Sequence, residues 1–258
     1  MQKIIISGHS RGLGKALAEH YLAQGVQVLG LSRTLLPEQA GLTQIALDLQ
    51  QTDTLSAWLA QGGLQHFIAE ASEVVLINNA ATVEPCAVAG RQRPSEIAAA
   101  VQLNIAAPLM LSNDLLHIRQ AGQTVKIVHI GSGAGRKAYA GWSVYGATKA
   151  ALDHHARCLA AEQHERLNIA SIAPGVVDTE MQAQIRSQDK QDFPLLNRFQ
   201  QLQADGGLTS PQTAAETIAH MIADDDFGLE PIQDVRTWQA LQDSLHCADA
   251  IRISSEAV

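Results

Sequence analysis

Short, nearly continuous apolar runs recur along this chain, and segments with helical periodicity separate most of them. Strands that are buried on both faces have this composition, whereas strands with one face in water alternate apolar and polar residues. The repeated order of strand, helix and strand predicts an α/β fold, a doubly wound parallel sheet with helices on both faces. The predicted strands are Lys3–Ser7, Gln27–Ser32, Thr43–Leu47, Val74–Asn78, Val125–Ile130 and Asn168–Ala173, with a last one within Glu230–Val235.

The segments between these strands predict the helices. Ser210 precedes Pro211 and is a suitable N-cap for the last of them, while Pro108 is a candidate break inside the longest. No linker or repeat divides the chain, so we predict one domain over residues 1–236 and leave the tail, residues 237–258, unassigned. The predicted helices are Leu13–Gln24, Thr52–Leu59, Ser95–Arg119, Tyr145–Glu165 and one that begins at Pro211.

Residues 178–207 interrupt this regular pattern. They are polar and weakly helical, and Pro194 and the pair Gly206–Gly207 punctuate them. Segments that close over a substrate are often built in this way. We therefore predict a mobile flap over this range.

The composition excludes several classes of protein. The 258 residues carry 26 acidic and 18 basic side chains, a net charge of −8, which argues against nucleic acid or an anionic membrane as the main partner. The apolar runs are too short to span a bilayer, and the N-terminus lacks the long apolar core of a signal peptide. The three cysteines, Cys86, Cys158 and Cys247, form neither a disulfide framework nor a metal motif. A cytoplasmic protein without a metal site is expected.

A glycine-rich turn follows the first predicted strand at once. In the sequence GHSRGLG the glycines are Gly8, Gly12 and Gly14. Glycines let the backbone turn tightly and approach a pyrophosphate, whose charge is then held by amides at the helix N-terminus. The position between a first strand and a first helix makes this weak pattern far more specific. It predicts a Rossmann-type dinucleotide site.

The end of the second predicted strand favours NADPH over NADH. A site for the unphosphorylated cofactor usually has an acid here, which bonds the ribose hydroxyls. This strand ends instead with Ser32 and Arg33, and an arginine pairs well with a 2′-phosphate. Arg11 in the glycine turn is a possible second cation, and Asp48 after the third strand is placed to accept from the adenine amino group. The alternative is that Arg33 is only a solvated surface residue.

A tyrosine and a lysine four residues apart open the helix after the fifth strand. Tyr145 and Lys149 share one helical face, and a cation close to a phenol lowers the pKa of that phenol from its usual value of about 10. Tyr145 would then protonate a carbonyl oxygen as hydride arrives. Ser132, just past the carboxyl end of the fifth strand, would hold the same oxygen by a hydrogen bond.

Together these residues resemble the short-chain dehydrogenase/reductase family over roughly residues 3–236. The segment Asn78–Ala81 is similar to the family's Asn-Asn-Ala-Gly, with Ala81 in place of the glycine. Asn104 matches the fourth catalytic residue of the family, which keeps a proton-relay water near the lysine. Gly131 stands where many members have the first of two serines, and the second, Ser132, is intact.

The resemblance implies a catalytic set and a cofactor site. The implied catalytic residues are Asn104, Ser132, Tyr145 and Lys149, and the lysine also bonds the nicotinamide ribose. The implied NADPH-binding residues are Gly8, Ser10, Arg11, Gly12, Leu13, Gly14, Ser32, Arg33, Asp48, Leu49, Asn79, Ala80, Tyr145, Lys149, Pro174, Gly175, Val177 and Thr179.

Within the family, residues 175–199 and 208–222 most resemble the sepiapterin and benzil reductases, which reduce carbonyl groups, often adjacent diketones, with NADPH. In sepiapterin reductases an aspartate near the last strand anchors the pterin, and Asp234 aligns loosely with it. A strand-end acid without a ligand is the alternative reading of Asp234. The implied substrate residues are Ser132, Trp142, Tyr145, Met181 and Asp234.

Further aromatic residues are candidates for the substrate pocket. Tyr139, Phe193 and Phe199 suit a flat, mostly apolar carbonyl compound, and for both phenylalanines core packing is the alternative. Adjacent histidines on a helix point about 100° apart, so His154 and His155 are expected at the surface or in a subunit contact rather than on a metal.

The family resemblance implies a homodimer, and the substrate is expected to be a small carbonyl compound. Three alternatives remain open at this point: an NAD-dependent alcohol dehydrogenase of the same family, a non-catalytic NADP-binding regulator, and an epimerase or dehydratase on a related fold. The absence of an acid after the second strand argues against the first. The presence of Tyr145 and Lys149 argues against the second.

Overall fold

The computed structural model describes residues 1–241, and its centre is a seven-stranded parallel sheet. The strand order is β3-β2-β1-β4-β5-β6-β7, so the chain builds outward from β1 in one direction and then returns to build in the other. This confirms the predicted doubly wound α/β fold. The strands are β1 Gln2–Ser7, β2 Gln27–Ser32, β3 Leu42–Ala46, β4 Glu73–Asn78, β5 Thr124–Ile130, β6 Leu167–Ala173 and β7 Ile232–Asp234.

Nine complete α-helices accompany the strands within residues 1–241, and residues 235–241 are also helical. The helices are α1 Gly12–Ala23, α2 Thr52–Ala60, α3 Gln65–Ile68, α4 Pro94–Val101, α5 Ala107–Ile118, α6 Ser143–Ala161, α7 Glu180–Arg186, α8 Leu196–Ala204 and α9 Pro211–Ala223. A π-helical turn, Gln102–Ala106, joins α4 to α5, and a short 3₁₀ turn, Gly133–Gly135, follows β5.

Helices cover both faces of the sheet because successive strand side chains point to opposite faces. Ile4 and Ile6 of β1 pack in the layer that α1 and α9 cover, whereas Ile5 faces the layer of α2, α5 and α6. All three isoleucines are fully buried. The continuous apolar runs of the sequence therefore arise from strands that have no face in water.

The reversal of strand order places a crevice beside β1. Its two neighbours are β2 on one side and β4 on the other. The connections leave the carboxyl ends of β1 and β4 in opposite directions, and ligands of such sheets bind at this point. Gly8 follows β1 and Asn79 follows β4, so the glycine turn and the NNAA segment meet at the crevice.

The longest predicted helix is interrupted, but not at Pro108. The irregular turn is the π-helical segment Gln102–Ala106, and Pro108 lies in the first turn of α5, where a proline costs little. By length and composition alone, the run Pro94–Ile118 could also span a membrane. The apolar runs predicted from the sequence are too short for this. Leu111 and Leu115 of α5 are fully buried against the sheet.

The predicted flap contains more structure than its polarity suggests. Residues 178–207 contain α7 and α8. Phe193, between the two helices, and Phe199, within α8, are both buried. They pack with Trp142 and Leu196 in a small third core. Two phenylalanines supply enough apolar area to order an otherwise polar segment. We call residues 178–207 the arm. The tail is assigned only in part, because residues 242–258, including Cys247, lie outside the described residues.

Candidate active site

A cleft of about 780 Å³ opens beyond the carboxyl ends of the central strands. The loops after β1, β2, β3, β4, β5 and β6 all contribute to its walls, and α7 and α8 of the arm cover one side. Most of the predicted site residues line it. These are Gly8, Ser10, Arg11, Gly12, Leu13, Ser32, Arg33, Asp48, Leu49, Asn79, Ala80, Ser132, Trp142, Tyr145, Lys149, Pro174, Gly175, Val177, Thr179 and Met181.

The glycine turn leaves room for a phosphate group and none for a Cβ atom. Gly8 has φ +72°, a value that side chains disfavour. A Cβ at Gly14 would lie 2.2 Å from the Gly8 carbonyl oxygen and 2.4 Å from Asn79 Nδ2. Gly14 therefore does not line the cleft but allows α1 to pack against the turn, while the Asn79 amide donates to the carbonyls of Ser7 (3.0 Å) and Gly8 (3.1 Å).

The start of α1 is suited to an anion. The residue before the helix, Arg11, makes no side-chain cap, and the first turn carries no acidic residue. The amide donors there are available to a ligand, and the helix dipole favours negative charge. These features fit a dinucleotide pyrophosphate.

The far end of the cleft holds the residues predicted to contact the adenosine. Arg33 is exposed and lines the cleft next to Ser32. The Ser32 hydroxyl donates to the Thr34 carbonyl (2.5 Å), which fixes the backbone after β2. Asp48 accepts from the Gln50 amide (3.0 Å) and lines the same end of the cleft. The contact of Arg33 with a 2′-phosphate stays a prediction.

Arg11 has a partner that the sequence did not suggest. Its guanidinium lies 2.9 Å from the carboxylate of Glu180, the first residue of α7, and both side chains are about two-thirds exposed. An exposed ion pair of this kind contributes little stability. Arg11 would leave Glu180 in order to contact a cofactor phosphate, and the same pair links the glycine turn to the arm.

The predicted catalytic side chains converge where β5 ends. Tyr145 and Lys149 lie one turn apart on α6, and both are buried. The Lys149 ammonium donates to the Ile130 carbonyl (2.7 Å) and lies 5.8 Å from the centre of the Tyr145 ring. Ser132 follows β5 directly, and its hydroxyl oxygen accepts from the Ala134 amide (3.1 Å).

The pKa of Tyr145 differs from the sequence-based expectation. Burial raises the pKa of this phenol above its usual value, and the neighbouring Ser132 hydroxyl opposes that rise only in part. Burial also lowers the pKa of Lys149 to about 8, against the attraction of Asp153. Desolvation dominates both groups because the site lies beneath the surface. Tyr145 is therefore protonated at neutral pH, the form in which it can donate.

Asn104 is buried behind the cleft rather than lining it. Its side chain accepts from the Thr82 amide (2.9 Å) and donates to the Thr82 carbonyl (2.8 Å) and to Thr148 Oγ1 (3.1 Å). The Thr148 hydroxyl in turn donates to the carbonyl of Tyr145 (2.8 Å). Asn104 thus ties the π-helical turn to the helix that carries Tyr145 and Lys149, and its role in a proton relay stays a prediction.

Aromatic rings form the wall beside Tyr145. Trp142 lies 5.3 Å from Tyr145 and 5.1 Å from Phe199, measured between ring centres. Trp142, Phe199, Tyr139 and Met181 line the cleft, whereas Phe193 is fully buried behind them and serves packing. The sequence missed Cys86, whose sulfur accepts from the Trp142 indole nitrogen (3.1 Å). No local pattern marks Cys86, since only the fold brings it to the indole.

Asp234 does not reach the cleft wall. Its two carboxylate oxygens accept from Arg236 Nε (2.8 Å) and Nη2 (2.6 Å), and it is Arg236 that lines the cleft. This pairing lowers the pKa of the Asp234 carboxyl below its usual value. As positioned, Asp234 orients an arginine and does not present a free carboxylate to a ligand.

The two adjacent histidines have separate environments. His154 is exposed, whereas His155 is half-buried and its Nδ1 lies 2.9 Å from Nε2 of the fully buried His129. Burial lowers the pKa of His129 to about 3. His155 is thus a partner of a core histidine, a contact absent from the sequence-based expectation. Residues 1–241 contain no cluster of histidine, cysteine and acidic side chains that could hold a metal ion.

Known proteins resemble this chain over most of its length. The family model for short chain dehydrogenases matches residues 2–190. The benzil reductase ((S)-benzoin forming) of Bacillus subtilis (strain 168) is 39% identical over 86% of this chain and 93% of its own length. The sepiapterin reductase of Meriones unguiculatus is 30% identical over 86% of this chain and 92% of its own length.

Among solved structures, a short-chain dehydrogenase/reductase from Burkholderia vietnamiensis is 41% identical, with a TM-score of 0.65, over 91% of this chain and 98% of that one. The family consists of oxidoreductases that act on carbonyl or hydroxyl groups with a nicotinamide cofactor. The matched positions include the glycine turn and the segment that carries Ser132, Tyr145 and Lys149. This chain therefore belongs to the short-chain dehydrogenase/reductase family, in the group of the benzil and sepiapterin reductases.

Proposed function

We propose that this protein is an NADPH-dependent reductase of aromatic ketones and adjacent diketones, with Tyr145 as the general acid. The observation that carries the proposal is the aromatic wall beside the acid. Trp142 and Tyr145 lie 5.3 Å apart, and Tyr139 and Phe199 extend the apolar surface along the same side of the cleft. A flat aromatic carbonyl compound that stacks on this wall would bring its oxygen to the phenol.

The chain's own residues supply the proton and hold the oxygen. The bound nicotinamide would supply the hydride. Tyr145 Oη, protonated at neutral pH because burial raises its pKa, donates the proton to the carbonyl oxygen. The Ser132 hydroxyl hydrogen-bonds to the same oxygen and stabilises the charge that develops there. Lys149, fixed on Ile130, adds positive charge below the phenol.

The preference for NADPH over NADH rests on Arg33. Its side chain lies at the end of the cleft where the second ribose of a dinucleotide would bind, and no acid stands in the turn Ser32–Thr34. A guanidinium recognises a phosphate by two parallel hydrogen bonds, whereas ribose hydroxyls are better matched by a carboxylate. An NAD-dependent alcohol dehydrogenase of the same family is the second candidate, and the absence of an acid after β2 argues against it.

The pairing of Asp234 favours a diketone over a pterin. A pterin anchor needs a carboxylate that is free to accept from the ring's N–H groups. Both oxygens of Asp234 are taken by Arg236, and the cleft wall at this point is the arginine. We therefore place benzil-like compounds ahead of sepiapterin as substrates.

The assembly and the location of the protein are also proposals. The apolar run Pro94–Ile118 is only 33% buried within one chain, and Val101 is exposed. We propose that a second copy of this chain covers this face in a homodimer. The acidic net charge of −8 and the small-molecule cleft fit a cytoplasmic enzyme without nucleic-acid partners.

The test is a substrate panel with both cofactors. Oxidation of NADPH and of NADH is followed with benzil, sepiapterin and a small aliphatic ketone. We expect the highest kcat/KM for benzil with NADPH. Turnover of sepiapterin above benzil would reject the role given to Arg236, and NADH as the better cofactor would reject the role given to Arg33. Binding of NADPH without turnover of any carbonyl would favour a non-catalytic regulator.

The Arg236→Ala variant sharpens this panel. Removal of the guanidinium frees the Asp234 carboxylate, so the ratio of sepiapterin to benzil turnover should rise by roughly tenfold, the value of one charge-assisted hydrogen bond. Arg91→Ala is a matched control, since it removes an arginine from an exposed ion pair with Asp192 outside the cleft. An unchanged ratio in Arg236→Ala would show that the pair does not select the substrate.

A further inference from the structure

A second buried polar network lies directly behind the catalytic lysine. Asp153 is one turn beyond Lys149 on α6, and both side chains are only 3% exposed. Among the residues that the structure describes, Asp153 is the only aspartate or glutamate that is fully buried. A buried carboxylate is costly unless it is paired and hydrogen-bonded, so its partners indicate why it is there.

Three elements hold the Asp153 carboxylate. The Ser171 hydroxyl on β6 donates to Oδ1 (2.6 Å), and the Arg136 guanidinium, just after the 3₁₀ turn, donates to Oδ2 (2.9 Å). Arg136 also donates to the Gln233 carbonyl on β7 (3.0 Å) and to the Ser171 carbonyl (3.3 Å). The network therefore joins the turn after Ser132, the helix of Lys149 and the strands β6 and β7.

Gly131 explains how this network approaches the catalytic residues. A Cβ atom at position 131 would lie 2.6 Å from Ser171 Oγ and 3.4 Å from Asp153 Oδ1. The serine that many family members carry at this place would collide with Ser171. Position 131 therefore lies against the network on one side, and its neighbour Ile130 accepts from Lys149 (2.7 Å) on the other.

We propose that Asp153 is a positioning residue for carbonyl reduction: held by Ser171 and Arg136, its carboxylate is the counter-charge that keeps the buried Lys149 ammonium charged and in place on Ile130. The inference rests on the proposed function for its effect on turnover, but the interaction itself is a property of the chain alone. Asp153 does not line the cleft.

The surroundings of Lys149 leave Asp153 as the group that favours its charge. On α6 its ionisable neighbours are Tyr145 and Asp153, and on β5 it faces His129. His129, with its pKa lowered to about 3, is neutral over the working range, and so it adds no positive charge that would oppose the ammonium. Behind it stands His155, whose pKa is also lowered by burial. Arg136 lies behind Asp153 and partly neutralises it.

The sign of the effect follows from these charges. Burial lowers the pKa of Lys149 to about 8, and the attraction of Asp153 acts in the opposite direction. Asp153→Asn keeps the size and the hydrogen bond of the side chain but removes the charge, so the pKa of Lys149 should fall further. Arg136→Gln removes the cation that competes for Asp153, so the pKa of Lys149 should rise. Loosening of the fold would not move the pKa in opposite directions.

The experiment titrates Lys149 in the protein without cofactor. Protein labelled with ¹³C at the lysine ε-carbon is followed by NMR against pH, and the Lys149 signal is identified by its loss in Lys149→Met. We expect the midpoint to fall by about one pH unit in Asp153→Asn and to rise in Arg136→Gln. Glu162→Gln, which removes an exposed acid at the end of the same helix, should leave the midpoint unchanged.

Steady-state rates supply the second readout. The basic limb of the kcat profile should move to lower pH in Asp153→Asn, so that its rate deficit grows from about twofold at pH 6 to about tenfold above pH 8. An unchanged Lys149 midpoint in Asp153→Asn would overturn the inference. If Asp153→Asn does not fold, an unchanged Lys149 midpoint in Arg136→Gln would overturn it instead. Shifted midpoints in a protein that reduces no carbonyl compound would reject the proposed function and keep the inference.

Discussion

The two halves of the cleft are built in different ways. The cofactor half is made of backbone: Gly8, Gly12 and Gly14 let a turn and a helix approach each other, and a Cβ at Gly14 would meet the Gly8 carbonyl at 2.2 Å. The substrate half is made of side chains that come from α6 and the arm, such as Trp142, Phe199 and Met181.

The family requires the backbone geometry that binds the cofactor, whereas the side chains that select the substrate can differ between members. A pyrophosphate is bound by amides, which every residue type supplies, so the constraint falls on the space around the backbone. A carbonyl substrate is selected by the shape and polarity of side chains on the arm, and these can be exchanged without loss of the sheet. The predictions that follow test this contrast, from the largest expected effect to the smallest.

Substitution of Gly14 should be the most damaging change in the cofactor half. Gly14→Val places side-chain atoms onto the Gly8 carbonyl and the Asn79 amide, so the turn must move or α1 must withdraw. We expect loss of measurable NADPH binding by fluorescence titration, and loss of activity with it. Lys15→Ala is the matched control, because Lys15 follows Gly14 but is exposed and lies outside the cleft. The NADPH affinity of this variant should stay within about twofold of that of the unaltered protein. Tight NADPH binding by Gly14→Val would contradict the steric argument.

Tyr145→Phe should remove turnover while the cofactor still binds. The phenyl ring keeps the contact with Trp142 and loses only the proton donor, and general acid catalysis contributes about 10²–10⁴-fold to rate. The kcat for benzil should fall by that factor, with the Kd for NADPH within about threefold of the unaltered protein. A variant that retains a tenth of its kcat would reject Tyr145 as the acid.

Arg33→Ala should act on the cofactor half in a selective manner. Loss of the phosphate pairing is expected to weaken NADPH by about 10–100-fold, the range of one or two charge-assisted hydrogen bonds, and to leave NADH nearly unchanged. Separate KM values for the two cofactors measure this ratio. Equal losses for both would mean that Arg33 does not contact the 2′-phosphate.

Trp142→Leu should have the smallest effect, and on the substrate half alone. An aromatic contact of this kind is worth about 0.5–1.5 kcal/mol beyond its area, so kcat/KM for benzil should fall about 3–10-fold. The value for a small aliphatic ketone should change less, because it does not reach the wall. Trp58→Leu, which packs outside the cleft against the core that α2, α5 and α6 cover, is the control for stability. An equal loss of kcat/KM for both ketones would show that the aromatic wall does not select the substrate.

Several features of the site could be read directly from residue order. The strand, the glycine turn and α1 follow one another without a gap, and Tyr145 and Lys149 lie at a spacing that a helix turns into one face. Ser132 is placed by the end of β5. These relations depend only on residues close together in the chain, and so they can be predicted without the tertiary structure.

The sequence did not reveal several contacts and burial effects. The arm reads as polar, yet Phe193 and Phe199 order it against Trp142. Asp234 reads as a free acid, yet Arg236, only two residues further along, binds both of its carboxylate oxygens. The pKa of Tyr145 rises rather than falls because the depth of burial, which no spacing reveals, outweighs the hydrogen bond with Ser132.

The sequence by itself determined the order of the strands, the glycine turn and the spacing of the predicted catalytic residues, because each depends on residues close together in the chain. Only the tertiary structure decided which charges are buried, which acids already have partners and what stands behind Lys149. Asp153, Ser171, Arg136 and Gly131 come from four different segments. Their interaction arises from packing across the sheet, and desolvation there sets the charges on which the chemistry depends.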